Sequence, residues 1–428
     1  MILPWWSALI GLVVAIVLIL VKLNPVYSLL LGAIVGSLLG GAGLVRTIKI
    51  LVTGSQSVMG TVIRVLAAGM LAGVMMESGA ADTIARSIVN KLGSKWAMLS
   101  LALSTMILTA VGVFIPVAVL IVAPIALEVG KNMHFSKLAL LVALSGGGKA
   151  GNIISPNPNT IAAAKGFNVQ MSQVMIADFI PAVVALIVAV LLATMLKHKG
   201  SKVLDKDLEN LTKPGKDTQL PSLGASLVTP VLAIGLLLLN PIGAILHIKF
   251  LTSLNLDAMY VLPIAAVVGA LVMKQGKKLR QYAQAGVTRM TDVVLILIGA
   301  GAIGATITSS DLPAKIIMLI KAAGISGTLL APIAGILMGA ATASTSTGVI
   351  LATGSFSKAI LGFGVSPLAG AAMINSGAVV IDHLPHGNYF HVTANAMHMD
   401  IKERSQGIIY ESIVGLSATI VVTLMFAI

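Results

Sequence analysis

The residues of this chain that could do chemistry gather in three places, each where an apolar run is interrupted. The first is LLVALSGGGKAGNIISPNPNTIAAAKGFN (140–168), which passes from an apolar helix into a glycine-rich turn, then amides and hydroxyls around two prolines. Pro156 and Pro158 bar a regular helix, so the N–H and C=O groups freed there need other partners, and a ligand can be one of them. Asn152, Ser155, Asn157, Asn159 and Thr160 offer neutral hydrogen bonds to a hydroxylated anion, and Lys149 adds a cation. The helix restarting near Thr160 offers its positive end. An ordinary loop between two spans is the plainer alternative.

The second place is MGAATASTSTGVILATGS (338–355), where Ser344, Thr345, Ser346 and Thr347 cluster at a break between short apolar pieces. Hydroxyls can satisfy themselves on helix carbonyls, but this cluster is denser than packing requires and suits a hairpin tip touching solute or cation. Its counterpart in the first half is VGVFIPVAVLIVAP (111–124), where Gly112 and Pro116 can break the helix. The third place, AAMINSGAVVIDHLPHGNYFH (371–391), offers Asn375 and Ser376 as further solute contacts. There Asp382 lies beside His383 and His386, and a carboxylate next to imidazole can exchange a proton near neutral pH. A solvated loop is the alternative; a zinc site from His383, His386 and His391 fits no recognised ligand spacing, and no metal is expected. Glu128 is a further coupling candidate, whereas Glu77, Asp178 and Asp292 fall near segment ends, where interfacial solvation accounts for them.

Two stretches imitate nucleotide motifs. GAGAIG (299–304) satisfies G-x-G-x-x-G, yet apolar sequence continues on both sides and no acidic residue follows at the distance a ribose needs. SGGGKAGN (145–152) lacks the first glycine and the final Ser/Thr of a phosphate loop.

The elements that must position these residues are membrane helices. Apolar residues make up 57% of the 428 and charged ones 10%, far from a soluble domain. The formal charge of +13 fits cytoplasmic loops rather than a nucleic-acid face, and without cysteine there is no disulfide and no thiol nucleophile. Apolar segments run approximately over 5–21, 25–43, 57–76, 97–113, 115–130, 137–147 and 174–196, then 225–239, 258–273, 291–308, 328–341, 347–361, 366–381 and 406–428. Several are too short to span and read as half-helices or re-entrant hairpins. The first is expected to be retained, with Trp5 and Trp6 as interfacial anchors. Segments 82–95 and 311–323 suit helices lying at the interface.

A polar Lys-rich segment, 197–222, reads as a cytoplasmic linker between an N-terminal repeat, 1–196, and a C-terminal repeat, 223–428. The basic loop 274–280 should face the same compartment. Gly69 and Gly301 sit in matching runs 232 residues apart, Pro158 and Pro385 stand 227 apart, and the GFNVQMSQ and AMHMDIKE stretches 230 apart. The expected fold is therefore an all-α polytopic membrane protein of two repeated halves. Inverted halves are the expected arrangement and parallel ones the alternative, with the site between them.

These motifs resemble the gluconate permease (GntP) family of the ion transporter superfamily. The resemblance rests on the two-half layout, on SPNPNTIA (155–162), on TASTSTG (342–348) and on INSGAVVIDHLPHGNYF (374–390) ahead of the last helix. The family's first motif is richer in proline and holds a histidine where this chain has Asn157 and Asn159, and DHLPHGNYF replaces the usual last pattern. The resemblance implies a symporter of gluconate or a related small hydroxy-carboxylate in a plasma or inner membrane, driven by protons or alternatively by sodium. It further implies two hairpins meeting near the midplane and an elevator or rocking movement. The expected partners are the anionic solute, the bilayer and a second copy of the chain as a homodimer, with no cofactor and no nucleic acid. No H-E-x-x-H or G-x-S-x-G supports an intramembrane enzyme, the rival class alongside a passive channel.

Overall fold

The computed structural model describes residues 2–93, 96–209, 220–254, 256–322, 326–385 and 387–427. His386 and the stretch 210–219 of the linker lie outside the described residues. Among those described there is no β-strand, only two isolated bridges, Leu3 with Ser310 and Ser136 with Lys202. Among the described residues six helices are long and apolar enough to cross a membrane, and five shorter apolar ones accompany them. Leu9, Val13, Val17 and Leu20 are exposed at helical spacing, as are Ile409, Ile413, Leu416, Ile420 and Leu424. Stripes of that kind are tolerated against hydrocarbon and costly against water.

Local sequence sets many helix boundaries. Asn24, Ser136 and Ser366 cap the helices Pro25–Leu39, Lys137–Ile153 and Pro367–Gly377, and a proline at the first turn supports two of the three. Two helices that hydropathy passes over, Gly43–Ser57 and Leu279–Arg289, pack through glycine. A Cβ at Gly54 would run into the Gly301 carbonyl, and one at Gly286 into the Gly69 carbonyl, so only hydrogen lets these backbones meet.

Helices begin at Met59 and Thr291 and at Ala80 and Leu312, each pair 232 residues apart; starts at Lys137 and Pro367, Pro158 and Asn388, and Met171 and Ile401 are 230 apart. Met59–Glu77 and Thr291–Thr308 run in opposite senses. The C-terminal end of Met59–Glu77 meets Arg289, just ahead of the start of Thr291–Thr308, through a 2.6 Å Arg289–Glu77 ion pair. On that same face Gln275 Nε2 donates to the Ser78 carbonyl (3.2 Å) and Thr83 Oγ1 to that of Pro221 (3.0 Å), which puts the linker end and the basic loop together. The opposite face holds Leu3 against Ser309, with a backbone bond of 3.0 Å, and the Arg64–Asp257 pair.

Two hairpins stop inside the molecule. Ala97–Ala110 turns into Ile115–Met133 through Gly112 at φ +102°, and Leu330–Thr342 into Thr345–Gly362 through Ala343 at φ +44°. Two further helices break at matching points. Lys137–Ile153 gives way to Pro158–Gly166, and Pro367–Gly377 to Asn388–Ala396. The glycine-rich stretch expected as a turn is continuous helix to Ile153, and the break falls at 154–157. Its glycines serve packing instead: a Cβ at Gly147 would strike the Ala102 carbonyl, and Thr109 Oγ1 donates to the Gly148 carbonyl at 2.9 Å.

Candidate functional site

Both hairpin tips and both helix breaks border one cavity of about 770 Å³. The first tip contributes Phe114, Ile115 and Pro116, and the second Thr342 to Thr347. The breaks contribute Asn152, Asn159, Asp382 and Asn388, and Tyr389 and His391 follow. Lys22 to Pro25 with Arg289, Asp292 and Val293 form the rim on the linker face. Two helices, Ile115–Met133 and Thr345–Gly362, present their N-terminal ends to this space, which adds positive potential to it.

At the first break Asn157 is the stitching residue. Its Oδ1 accepts from the N–H groups of Asn159 (3.0 Å) and Thr160 (3.1 Å), while Nδ2 donates to the Asn152 carbonyl (2.8 Å) and side chain (2.7 Å). The helix end expected to hold an anion is thus already capped from within, and Asn157 and Thr160 are turned into the protein. Asn159 does face the cavity, where its Oδ1 accepts from Ser346 Oγ at 2.6 Å, a direct contact between the two halves. Ser344 caps its own helix, accepting from Thr347 N–H at 3.3 Å.

Lys149, 1% exposed, lies behind the wall. Its ammonium bonds Asp382 and the Val379 carbonyl and approaches His383 Nδ1 at 3.0 Å. Asp382 accepts also from Thr345 Oγ1. His383 Nε2 faces the Ile408 carbonyl at 3.0 Å and, since a carbonyl only accepts, donates to it; Nδ1 lies 3.0 Å from Lys149 Nζ and 3.1 Å from Asp382 Oδ1.

Some sequence candidates are not brought to the cavity. Glu128 is exposed on Ile115–Met133, near the end away from the tip. Asn375 and Ser376 are fully buried in the helix Pro367–Gly377; Asn375 Nδ2 spans the Ile153 carbonyl (2.9 Å) and Asp178 Oδ2 (2.8 Å). Asp178, expected at an interface, is fully buried at a 45° bend between Met171–Ala177 and Phe179–Met195. The apolar segment 174–196 begins only four residues before it, and the short helix Met171–Ala177 that leads into it starts ahead of that segment.

Sequence reasoning missed a second buried network. Arg404 and Glu411, both 0% exposed, form a two-bond pair at 2.5 and 3.1 Å. Glu411 also accepts from Ser145, which meets Tyr389 at 2.5 Å, and Arg404 Nε donates to Thr393 at 2.9 Å. The available signal was a carboxylate inside the last apolar segment with an arginine seven residues before it, two turns back on one face.

Hairpins and broken helices around an interior polar cavity define an all-helical membrane transporter fold. The Alcanivorax borkumensis YdaH transporter shares it, at a TM-score of 0.62 and 16% identity over 90% of this chain and 89% of that one. The chain belongs to the GntP family permeases, whose model matches residues 3–428. It is 48% identical over 423 residues to an uncharacterized transporter of Haemophilus influenzae, covering 99% of this chain and 98% of that protein. It is also 23% identical to the high-affinity gluconate transporter of Escherichia coli, over 86% of both chains, and 24% identical to a D-serine transporter of that organism, over 87% of both.

Proposed function

We propose that this permease is a multi-pass inner-membrane symporter that imports gluconate or a related small hydroxy-carboxylate, driven by protons. The carrying observation is the cavity walled by neutral donors from both halves, with Asn159 and Ser346 in contact and a lysine immediately behind. Hydroxyls and amides match the hydroxyl groups of a sugar acid, and two helix N-termini favour its carboxylate. In this reading Asn152, Asn159, Thr345 and Ser346 bind the solute, and Asp382 holds Lys149 in place for the anion.

The recurring helix starts, the opposite senses of Met59–Glu77 and Thr291–Thr308 and the mirrored glycine contacts support two inverted repeats, with an elevator or rocking motion carrying the site between faces. The linker face is then cytoplasmic, in accord with its basic loops, and a homodimer is the proposed assembly. D-serine is the second reading, favoured by a relative as similar as the gluconate transporter. Labelled gluconate should accumulate in proteoliposomes under an imposed pH gradient, collapse with a protonophore, and be displaced by hydroxy-carboxylates better than by D-serine. Accumulation under a sodium gradient alone would refute proton coupling, and preference for D-serine would replace the substrate.

A further inference from the structure

The carboxylates of the chain are not treated alike. Asp382 has a lysine, a threonine and a histidine; Glu411 has an arginine and a serine. Asp178 is as deeply buried and has one neutral donor, Asn375 Nδ2 on Oδ2, with no hydrogen-bond partner on Oδ1. Asn375 Oδ1 and Ser155 Oγ are orphaned as well. The helices packed against this bend carry few charges. Lys137 and Lys149 on Lys137–Ile153 are engaged by Asp207 and Asp382, Glu411 on Gly407–Ala427 by Arg404, and Lys165 on Pro158–Gly166 lines other cavities. Pro367–Gly377 carries no ionisable side chain. None of these groups forms an ion pair with Asp178 among the described residues.

A bare carboxylate in such a place is unstable: it must bind a cation or a proton. Among the described residues, the side-chain oxygens without a hydrogen-bond partner at this bend are Asp178 Oδ1 and Asn375 Oδ1, with Ser155 Oγ two residues beyond Ile153 in the chain. That set is thin for replacing a metal ion's hydration shell. One proton on Oδ1 instead supplies the donor that the Asp178–Asn375 pair lacks. We infer that Asp178, held by Asn375 at the bend, is the proton-binding group of this symporter. Loading is the reversible protonation of Oδ1, the proton entering from one aqueous face and leaving to the other, with no covalent bond otherwise changed.

The geometry also supplies the link to solute. Asn152 borders the cavity on the residue before Ile153, whose carbonyl is tied through Asn375 to Asp178. A solute that shifts the break at 154–157 therefore disturbs the one donor that favours the ionised carboxylate, and protonation of Asp178 disturbs the wall that the solute touches.

The inference rests on the symport reading, so one test avoids solute altogether. Infrared difference spectra of the purified full-length protein on a pH jump should show the carbonyl stretch of a buried protonated carboxylic acid, lost in Asp178→Asn. Asn375→Ala, which removes the lone donor to the carboxylate, should move the midpoint of that band to higher pH. A wild type without the band, a band that survives Asp178→Asn, an unmoved midpoint in Asn375→Ala, or loss of the band on adding sodium at constant pH would each overturn the assignment, whatever the solute. In proteoliposomes Asp178→Asn should still exchange gluconate between equal pools while its pH-driven accumulation ratio falls to about one. Full accumulation in that variant also overturns the assignment, whereas a wild type inert toward gluconate, with the band intact, counts only against the substrate.

Discussion

At the residue scale the site divides into groups that face the cavity and groups that hold those in place. Asn159 and Ser346 meet at 2.6 Å on the wall, so either truncation removes this contact and, in the proposed reading, a solute partner. Asn159→Ala and Ser346→Ala should each raise the apparent KM for uptake roughly ten- to a hundredfold, as expected for a hydrogen bond of about 1.5–3 kcal/mol to a charged ligand; unchanged KM in both moves the site elsewhere. Lys149 and Asp382 behave differently because both are buried. Lys149→Ala leaves an unpaired carboxylate and should destabilise the protein by about 3–5 kcal/mol. The double variant Lys149→Ala with Asp382→Ala should lose less than the two single changes together. Thermal unfolding in detergent reads both, and strict additivity would mean that the pair carries no mutual stabilisation.

At the scale of elements, close packing depends on the absence of side chains. Gly54→Leu and Gly286→Leu each push a side chain into a facing backbone carbonyl, and overpacking of this kind costs about 1–3 kcal/mol or more. The two variants should lower the unfolding temperature by similar amounts, since in both the added side chain meets a facing backbone carbonyl head-on; a large loss from only one would separate the two interfaces. The same elements show what a sequence can convey. The long apolar helices, both hairpins and the break after Ile153 follow from hydropathy and from Gly/Pro interruptions, so the cavity-facing Asn152, Asn159 and Ser344 to Thr347 stood out in advance. Gly43–Ser57 and Leu279–Arg289 did not, because they are amphipathic and their partners are chosen by glycine contacts hundreds of residues away. Asp178 escaped for a related reason, since burial at a bend leaves no periodic trace in the chain, whereas Arg404 and Glu411 left the seven-residue spacing of a pair on one helix face. Asn157 and Asn375 were legible as polar but not as internal, because an amide reads the same whether it meets a ligand or a neighbouring carbonyl.

For the whole molecule the two faces differ. The large cavity has its rim on the linker face, while toward the other face a smaller one of about 240 Å³, bordered by Arg64, Ser172 and Asp257, sits where Asp257 accepts two bonds from Arg64 Nε at 2.8 and 3.0 Å. Burial alone would raise the Asp257 carboxyl, but Arg64 and the Met259 N–H outweigh it and hold the group below its ordinary 3.8. A lowered value means that the contact is fully present above the ordinary pKa and is lost only as pH falls through the lowered one. This face should therefore stay closed across neutral and mildly acidic pH. The chain has no cysteine, so Ser172→Cys provides a single reporter. Its labelling by a thiol reagent should stay slow from about pH 8 to pH 5 and quicken when Asp257→Asn is added; a rise with acid above pH 5 in the otherwise unchanged protein would contradict the assignment.

If the proposed alternating movement opens this face, the ion pair limits what it can itself add to holding one orientation. A partly exposed arginine–carboxylate pair contributes about 1 kcal/mol at most, roughly a fivefold bias in population. A bias of that size is a preference and not a lock, so an opposing solute gradient easily outweighs it. Vesicles preloaded with labelled gluconate and diluted into solute-free medium should empty through the protein, and the escaping solute should carry protons out with it. Retention of the load would mean that something much stronger than Arg64 and Asp257 sets the direction.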